Sequence, residues 1–205
     1  MINRLLNFLL NRISCDQGSD VEITGNVRFS KIRLKGKGHK LEIVGGVCRS
    51  LDVDISGTNN HVKILLPRDI RNLRITVKDD NNLVVIGDNC GIVNSRIVCC
   101  GNGKSIRISA DAMIADSCEI WNCDTHSILS KSTGKRINPA GNIDIGKHVW
   151  LGRGVSVYKG VSIGDECIVG ACSMLFKGEY ASNSVYVGSP ARQVRKDVSW
   201  CIERL

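Results

Sequence analysis

A chain of 205 residues, 42% hydrophobic and 23% charged, is long enough to bury a real core and has the balance of a soluble globular protein. Only 4% aromatics beside 21 glycines disfavours a helical bundle and favours an all-β chain with many tight corners. The net charge of +8 suits an anionic partner, but lysine and arginine are spread along the chain without a basic cluster flanked by stacking aromatics; this disfavours nucleic acid and leaves a phosphorylated cosubstrate or an acidic polymer.

The N-terminal "MINRLLNFLLNRIS" predicts a helix over residues 1–14, with Ile2, Leu6, Leu9 and Ile13 on one face and Arg4 and Arg12 beside it. Two readings stand: a short helix packed on the end of the domain, or a weak membrane-surface helix peripheral to the inner membrane. Arg12 closes the apolar run too early for a bilayer span, and no small-residue cleavage site follows.

Residues 15–188 read as one repetitive domain. In its first part, 15–109, four stretches begin at Gly36, Gly57, Asp79 and Gly101, spaced 21, 22 and 22 residues apart. Each is a polar turn followed by an alternating apolar step, and each is preceded by another such step: Ile32-Arg33-Leu34, Val53-Asp54-Ile55, Ile75-Thr76-Val77 and Ile97-Val98-Cys99. Val21-Glu22-Ile23 is read as an earlier member of that preceding series. Short strands joined by polar corners at a constant period predict the coils of a solenoid.

In the second part, 110–188, the period tightens to six. Ile145, Leu151, Val157, Ile163, Val169 and Leu175 hold one phase, with the small or medium Val149, Val155, Val161, Cys167 and Ser173 in a second. A hexad suits a triangular β-helix whose flat faces are each one hexapeptide long. Ile108, Ile114 and Ile120 form a weaker hexad in a different phase, so something is inserted between the two. The loop is placed at 129–142, "LSKSTGKRINPAGN". Its Lys131, Lys135 and Arg136 read equally as a solvated loop or as a basic arm over a site. Residues 189–205 are a tail or helix.

Ten cysteines without a CxxC pair give little support to a zinc site. They read as reduced, small and mostly buried residues of a cytoplasmic protein, with no metal. Of the histidines, His39, His61 and His148 read as structural or exposed. His126, in "WNCDTHSI", reads alone as a catalytic base or as one more imidazole. Asp124 orients that ring or bonds its own backbone as a corner residue.

The run "IDIGKHVWLGRGVSVYKGVSIGDECIVGACSML" followed by "VYVGSPARQV" resembles the hexapeptide-repeat acyltransferases over roughly residues 100–196. "MIADSCEIWNCDTHSILS", "GKRINPAGNIDIGKHVWLGR" and "GSPAR" are similar to bacterial O-acetyltransferases of sialic-acid-containing capsules. The resemblance implies a left-handed parallel β-helix, a homotrimer with sites between adjacent subunits, and acetyl-CoA as donor.

It also implies roles for residues. His126 matches the family's catalytic histidine and Trp150 the tryptophan facing the cleft, while Asp124 stays the candidate to orient the imidazole by analogy with other acyl-transfer sites. Gly152 and Ala171 match positions meeting the pantetheine arm; Lys177, Arg192 and Lys196 match those meeting CoA phosphates, and Arg153 is a further contact. Trp121, Arg136 and Asn138 are assigned to the acceptor. The expected activity is O-acetylation of a bacterial surface polysaccharide in the cytoplasm. The alternatives are a small acceptor (sugar, nucleotide-sugar or antibiotic) and a non-catalytic β-helix scaffold.

Overall fold

Strands of two to seven residues are too short to make a local sheet, and here they pair with the strand one coil away instead. A computed structural model describes residues 10–203 and 205. Three sheets of eight, eight and nine strands run the length of the molecule, each coil giving one strand to each. The result is a left-handed parallel β-helix of eight coils with a triangular section. We call the sheets faces 1, 2 and 3 in the order the chain visits them.

Parallel sheets usually bury both sides and lose alternation. Here each sheet bends round one shared core, so only inward residues are apolar and a period of two survives within every strand. On face 1 the inward column Ile32, Val53, Ile75, Ile97, Ile120, Val157 and Leu175 is continuous in register. All seven are 0% exposed. The strict hexad supplies inward residues in turn to faces 2, 3 and 1: Ile145, Leu151, Val157, then Ile163, Val169, Leu175. The second phase, from Val149 to Ser173, is buried beside it.

The polar turns of the longer coils stack as the period predicts. Gly36 pairs with Gly57, at φ +120 and +108; a Cβ at Gly36 would meet the Gly57 carbonyl oxygen at 2.0 Å. Inside this corner runs a polar ladder. The Asn60 amide donates to His39 Nδ1 (3.2 Å), the Asn82 amide to Asn60 Oδ1 (2.8 Å) and the Lys104 amide to Asn82 Oδ1 (2.7 Å). His39 is therefore structural. Seven of the ten cysteines are buried.

Four details differ from the sequence reading. Val21-Glu22-Ile23 pairs with Leu41–Ile43 on face 2, so it belongs to the steps after the turns; the face 1 step of its coil holds Ile13, paired with Ile32. Of the helix placed at 1–14, residues 1–9 lie outside the described residues, Leu10 is helical, and Arg12–Cys15 is a strand, because pairing with the next coil overrides helical periodicity at Ile13. The insertion opens seven residues earlier than 129: face 1 ends at Trp121 and face 2 resumes at Ile143. Past the turn at Ser189-Pro190 the described residues form, instead of a helix, the strand Ala191–Lys196, antiparallel to Ser184–Gly188.

Candidate active site

The arm at 122–142 leaves the corner between faces 1 and 2 in the sixth coil. Its root is pinned inside the solenoid. Buried Asn122 accepts the Cys100 amide through Oδ1 (2.7 Å) and donates to the Cys100 carbonyl (3.1 Å). Cys123 packs with Val98, Cys100 and Trp121. The Gly141 amide donates to the Asn122 carbonyl (3.0 Å), which closes the neck. Farther out, Leu129 and Arg136 bridge antiparallel, and the Ile137 amide donates to the Ile128 carbonyl (2.8 Å). His126 lies between neck and hairpin.

Asn138 holds that segment together. It is buried, and all four of its hydrogen-bonding capacities are used. Its Nδ2 donates to Asp124 Oδ2 (2.7 Å) and to the His126 carbonyl (2.9 Å), while its Oδ1 accepts the Ile128 amide (2.7 Å) and Arg136 Nε (3.2 Å). From the next coil, Lys159 forms an ion pair with the same Asp124 oxygen. Lys159 holds the Asp124 carboxyl below the usual carboxylate range against the opposing effect of burial, and Asn138 adds to the lowering.

The spacing of Asp124 and His126 is not a strand face but a tight turn. Thr125 has φ 59, and the His126 amide donates to the Asp124 carbonyl (2.6 Å). Asp124 thus acts on His126 through the backbone, its carboxylate being engaged by Lys159 and Asn138. The imidazole is exposed. Asn138, assigned to the acceptor from sequence, is a clamp with no capacity left for a ligand.

Under the arm lies a cleft of about 660 Å³, lined among others by Asp124, Ile137, Tyr158, Lys159, Phe176 and Lys177. Tyr158 and Phe176 stack on successive coils, ring centres 5.3 Å apart. Lys177 lies across Gly160, where a Cβ would meet its Cγ at 2.9 Å. On the other side of the arm, Arg136 lines a smaller cleft of about 300 Å³ with Lys78, Lys104 and Cys123. Trp121 is half-buried; Arg96 lies over its ring at 4.7 Å, and its indole N–H donates to Glu119.

The residues assigned to the donor gather elsewhere. Trp150 opens the face 3 strand of the same coil, between Met113 and Ile168, and is 36% exposed. Gly152 follows two residues later on the same side. Ala171 stacks on it, and a Cβ at Gly152 would meet the Ala171 nitrogen at 2.8 Å. Arg153 is exposed and pairs with Asp116 (3.4 Å). Arg192 and Lys196 are exposed on the returning strand, opposite Val187 and Ser184. The tail brings Trp200 onto His148, rings stacked at 4.2 Å, and beside Trp150 at 5.9 Å. Lys177 is separate from this group, at the corner that carries the arm.

In a single chain the assigned residues therefore fall into two separate groups. His126 and Lys177 belong to the corner of faces 1 and 2; Trp150, Gly152 and Ala171 belong to face 3. Ile143–Ile145 of face 2 lies between His126 and Trp150. Sequence reasoning missed Lys159, Tyr158, Phe176 and Trp200. Tyr158 and Phe176 were within reach, since each follows an inward hexad residue and must point outward. Lys159 and Trp200 carried no signal, because their partners are 35 and 52 residues away.

Residues 142–177 match the model of the family described as bacterial transferase hexapeptide (six repeats). A polysialic acid O-acetyltransferase of Neisseria meningitidis is 34% identical, over 51% of this chain and 68% of that protein. One of Escherichia coli O1:K1 is 31% identical, over 47% of this chain and 31% of that protein. Among solved structures, the polySia-specific acetyltransferase NeuO superposes with TM-score 0.84 at 29% identity, covering 94% of this chain and 89% of that one. The polysialic acid O-acetyltransferase OatWY gives 0.67 at 25% identity, with 95% and 89% covered.

Proposed function

Because the chain belongs to the bacterial hexapeptide-repeat acyltransferases, we propose that it transfers an acetyl group from acetyl-CoA to a hydroxyl of an anionic surface polysaccharide, a sialic-acid polymer. Similarity to two polysialic acid O-acetyltransferases supports the acceptor class. A net charge of +8 suits both the CoA phosphates and an acidic glycan. We place the reaction in the cytoplasm, where the CoA donor is made.

The exposed imidazole of His126 is the general base. It removes the proton of the acceptor hydroxyl as that oxygen attacks the acetyl carbonyl, then returns the proton to the departing sulfur. Such a base contributes about 10²–10⁴-fold. Gly152 and Ala171, stacked at the end of the face 3 strands beside Trp150, are the positions assigned to the pantetheine arm. Arg153, Arg192 and Lys196 stand near these positions for the phosphates, and Lys177 serves them from the opposite corner. No nucleophilic serine or cysteine is needed, since acetyl passes directly.

The functional unit in this proposal is a homotrimer in which the arm of one chain reaches face 3 of the next. One observation carries it: in one coil, His126 is on the arm at the corner of faces 1 and 2 and Trp150 is on face 3. The arm supports it, because Ile128, Leu129 and Ile137 are 56%, 58% and 61% exposed, an apolar surface suited to a neighbouring subunit. The test of activity is transfer of radiolabelled acetyl from acetyl-CoA to a sialic acid polymer. Wild type labels the polymer and His126→Ala does not; full turnover by His126→Ala would remove the proposed base.

A further inference from the structure

Lysine and arginine look dispersed along the sequence, but the coil register stacks them. On face 3, Arg28, Arg49 and Arg71 are paired rung on rung. Just round the corner on face 1, Lys31, Asp52, Arg74 and Arg96 form the next column. Rungs of a parallel sheet are about 4.8 Å apart, so a row of cations runs along the solenoid axis through five coils.

The carboxylates at this corner are already engaged. Asp52 pairs with Arg33 (3.1 Å) and Arg74 (3.4 Å), Asp54 with Arg33 (2.9 Å) and Asp69 with Arg71 (2.9 Å), while Glu119 accepts the Trp121 indole. Among the described residues, Arg28, Lys31, Arg49 and Arg96 have no carboxylate partner. Face 2 is different: there Lys40, His61 and Lys63 converge on Glu42, and Arg107 faces Asp144.

An independent observation marks the same place. Among the described residues, two buried side-chain polar atoms lack a hydrogen-bond partner, Arg33 Nη1 and Arg96 Nε. Both belong to face 1 beside this corner. A groove of about 420 Å³ lies there, lined by Ser50, Asn72, Arg74, Asn94 and Arg96 together with Asp52 and Glu119. Of the two, Arg96 lines this groove; a buried guanidinium N–H without an acceptor is costly, and an oxygen-rich anion in the groove would supply one for Arg96. From Arg96 the path continues over Trp121, whose column runs to Tyr158, stacked on Phe176 in the cleft under the arm.

We propose that this corner is a binding track for a linear anionic polymer. It grips units of the acceptor distant from the one being acetylated and leads the chain over the aromatic column toward His126. The proposal rests on the reading of the acceptor as an anionic polysaccharide and adds to it a separate site on the first five coils.

The test measures binding apart from transfer, by anisotropy of a fluorescein-labelled sialic acid polymer with the full chain. Reversal of two rungs in Arg49→Glu/Arg71→Glu weakens the polymer by about tenfold, and wild-type affinity falls steeply with salt, as for other polyanions. Arg49→Lys/Arg71→Lys keeps wild-type binding, and neutral dextran does not compete. The track is overturned if the reversed variant binds as wild type, if dextran competes equally, or if anionic phosphatidylglycerol vesicles bind at these residues and the polymer does not. Acetylation of short sialic acid oligomers is measured in parallel. Oligomers acetylated without charge-dependent polymer binding would remove the track alone; charge-dependent binding with no sialic acceptor acetylated would remove the acceptor reading alone.

Discussion

Asn138 and Lys159 fix where the His126 imidazole starts from, Asn138 by bonding the His126 carbonyl and both by holding the Asp124 carboxylate. Removing the Asn138 amide leaves the His126 carbonyl, the Ile128 amide and part of Asp124 to find water, and frees the segment between neck and hairpin. Asn138→Ala is expected to lower kcat by about 10-fold or more while the KM for acetyl-CoA stays near wild type, since catalytic geometry and not donor binding is lost. Steady-state kinetics with the acceptor saturating checks this. Asp124 has a lowered pKa, so its ion pair with Lys159 is present above the ordinary carboxylate range and is lost only as pH falls through the lowered value. Between about pH 5 and 8 it therefore stays ionised. Asp124→Asn should depress the plateau of a pH–rate profile without moving any limb within that window; a shifted limb would make Asp124 a titrating participant. In "WNCDTHSI" His126, Asp124 and Trp121 were legible as candidates, His126 by its family motif. The clamp was not, because it joins Asp124 to residues 14 and 35 positions later.

At the scale of the coil, most of the fold was legible because each inward position has one job, to fill a narrow shared core, and repeats it every turn. Two phases out of step announced the arm, whose opening was misplaced because Asn122 and Cys123 are buried like coil residues. Val21 was set on the wrong face because apolar steps of all faces look alike. The buried ladder gives a stability test: Asn82→Leu leaves the Lys104 amide and the Lys78 carbonyl without their partner, at a cost of about 1–3 kcal/mol each. Urea unfolding should show the lowered midpoint. The tail gives a pH test. His148 first and Ser199 after it hold the Glu166 carboxyl below its usual range. Its hold on the tail is thus complete above that range and lost as pH falls through the lowered value. Acidification through this interval should release Trp200 from His148, read as a shift in tryptophan emission in a Trp121→Phe/Trp150→Phe background. An unchanged spectrum would mean that the stack and the indole bond to the His148 carbonyl (2.7 Å) suffice alone.

For the whole molecule, the separation of His126 and Trp150 on one rigid coil has a consequence that neither residue shows alone. A β-helix cannot bend the corner of faces 1 and 2 toward its own face 3 without breaking the parallel ladders between them. If His126 and Trp150 serve one reaction, they come from different chains, and defects in the two become complementary. His126→Ala subunits retain a sound Trp150, and Trp150→Ala subunits retain a sound His126. In closed trimers reassembled from equal amounts of both, a site is intact when a Trp150→Ala chain supplies the arm and a His126→Ala chain supplies face 3. That combination occurs at about a quarter of the interfaces of a cyclic homotrimer with random mixing. Each variant alone should be nearly inactive, and the refolded mixture should recover about a quarter of wild-type turnover. A mixture as inactive as its components, with trimers confirmed by sedimentation, would place both residues in a site within one chain and remove the shared interface.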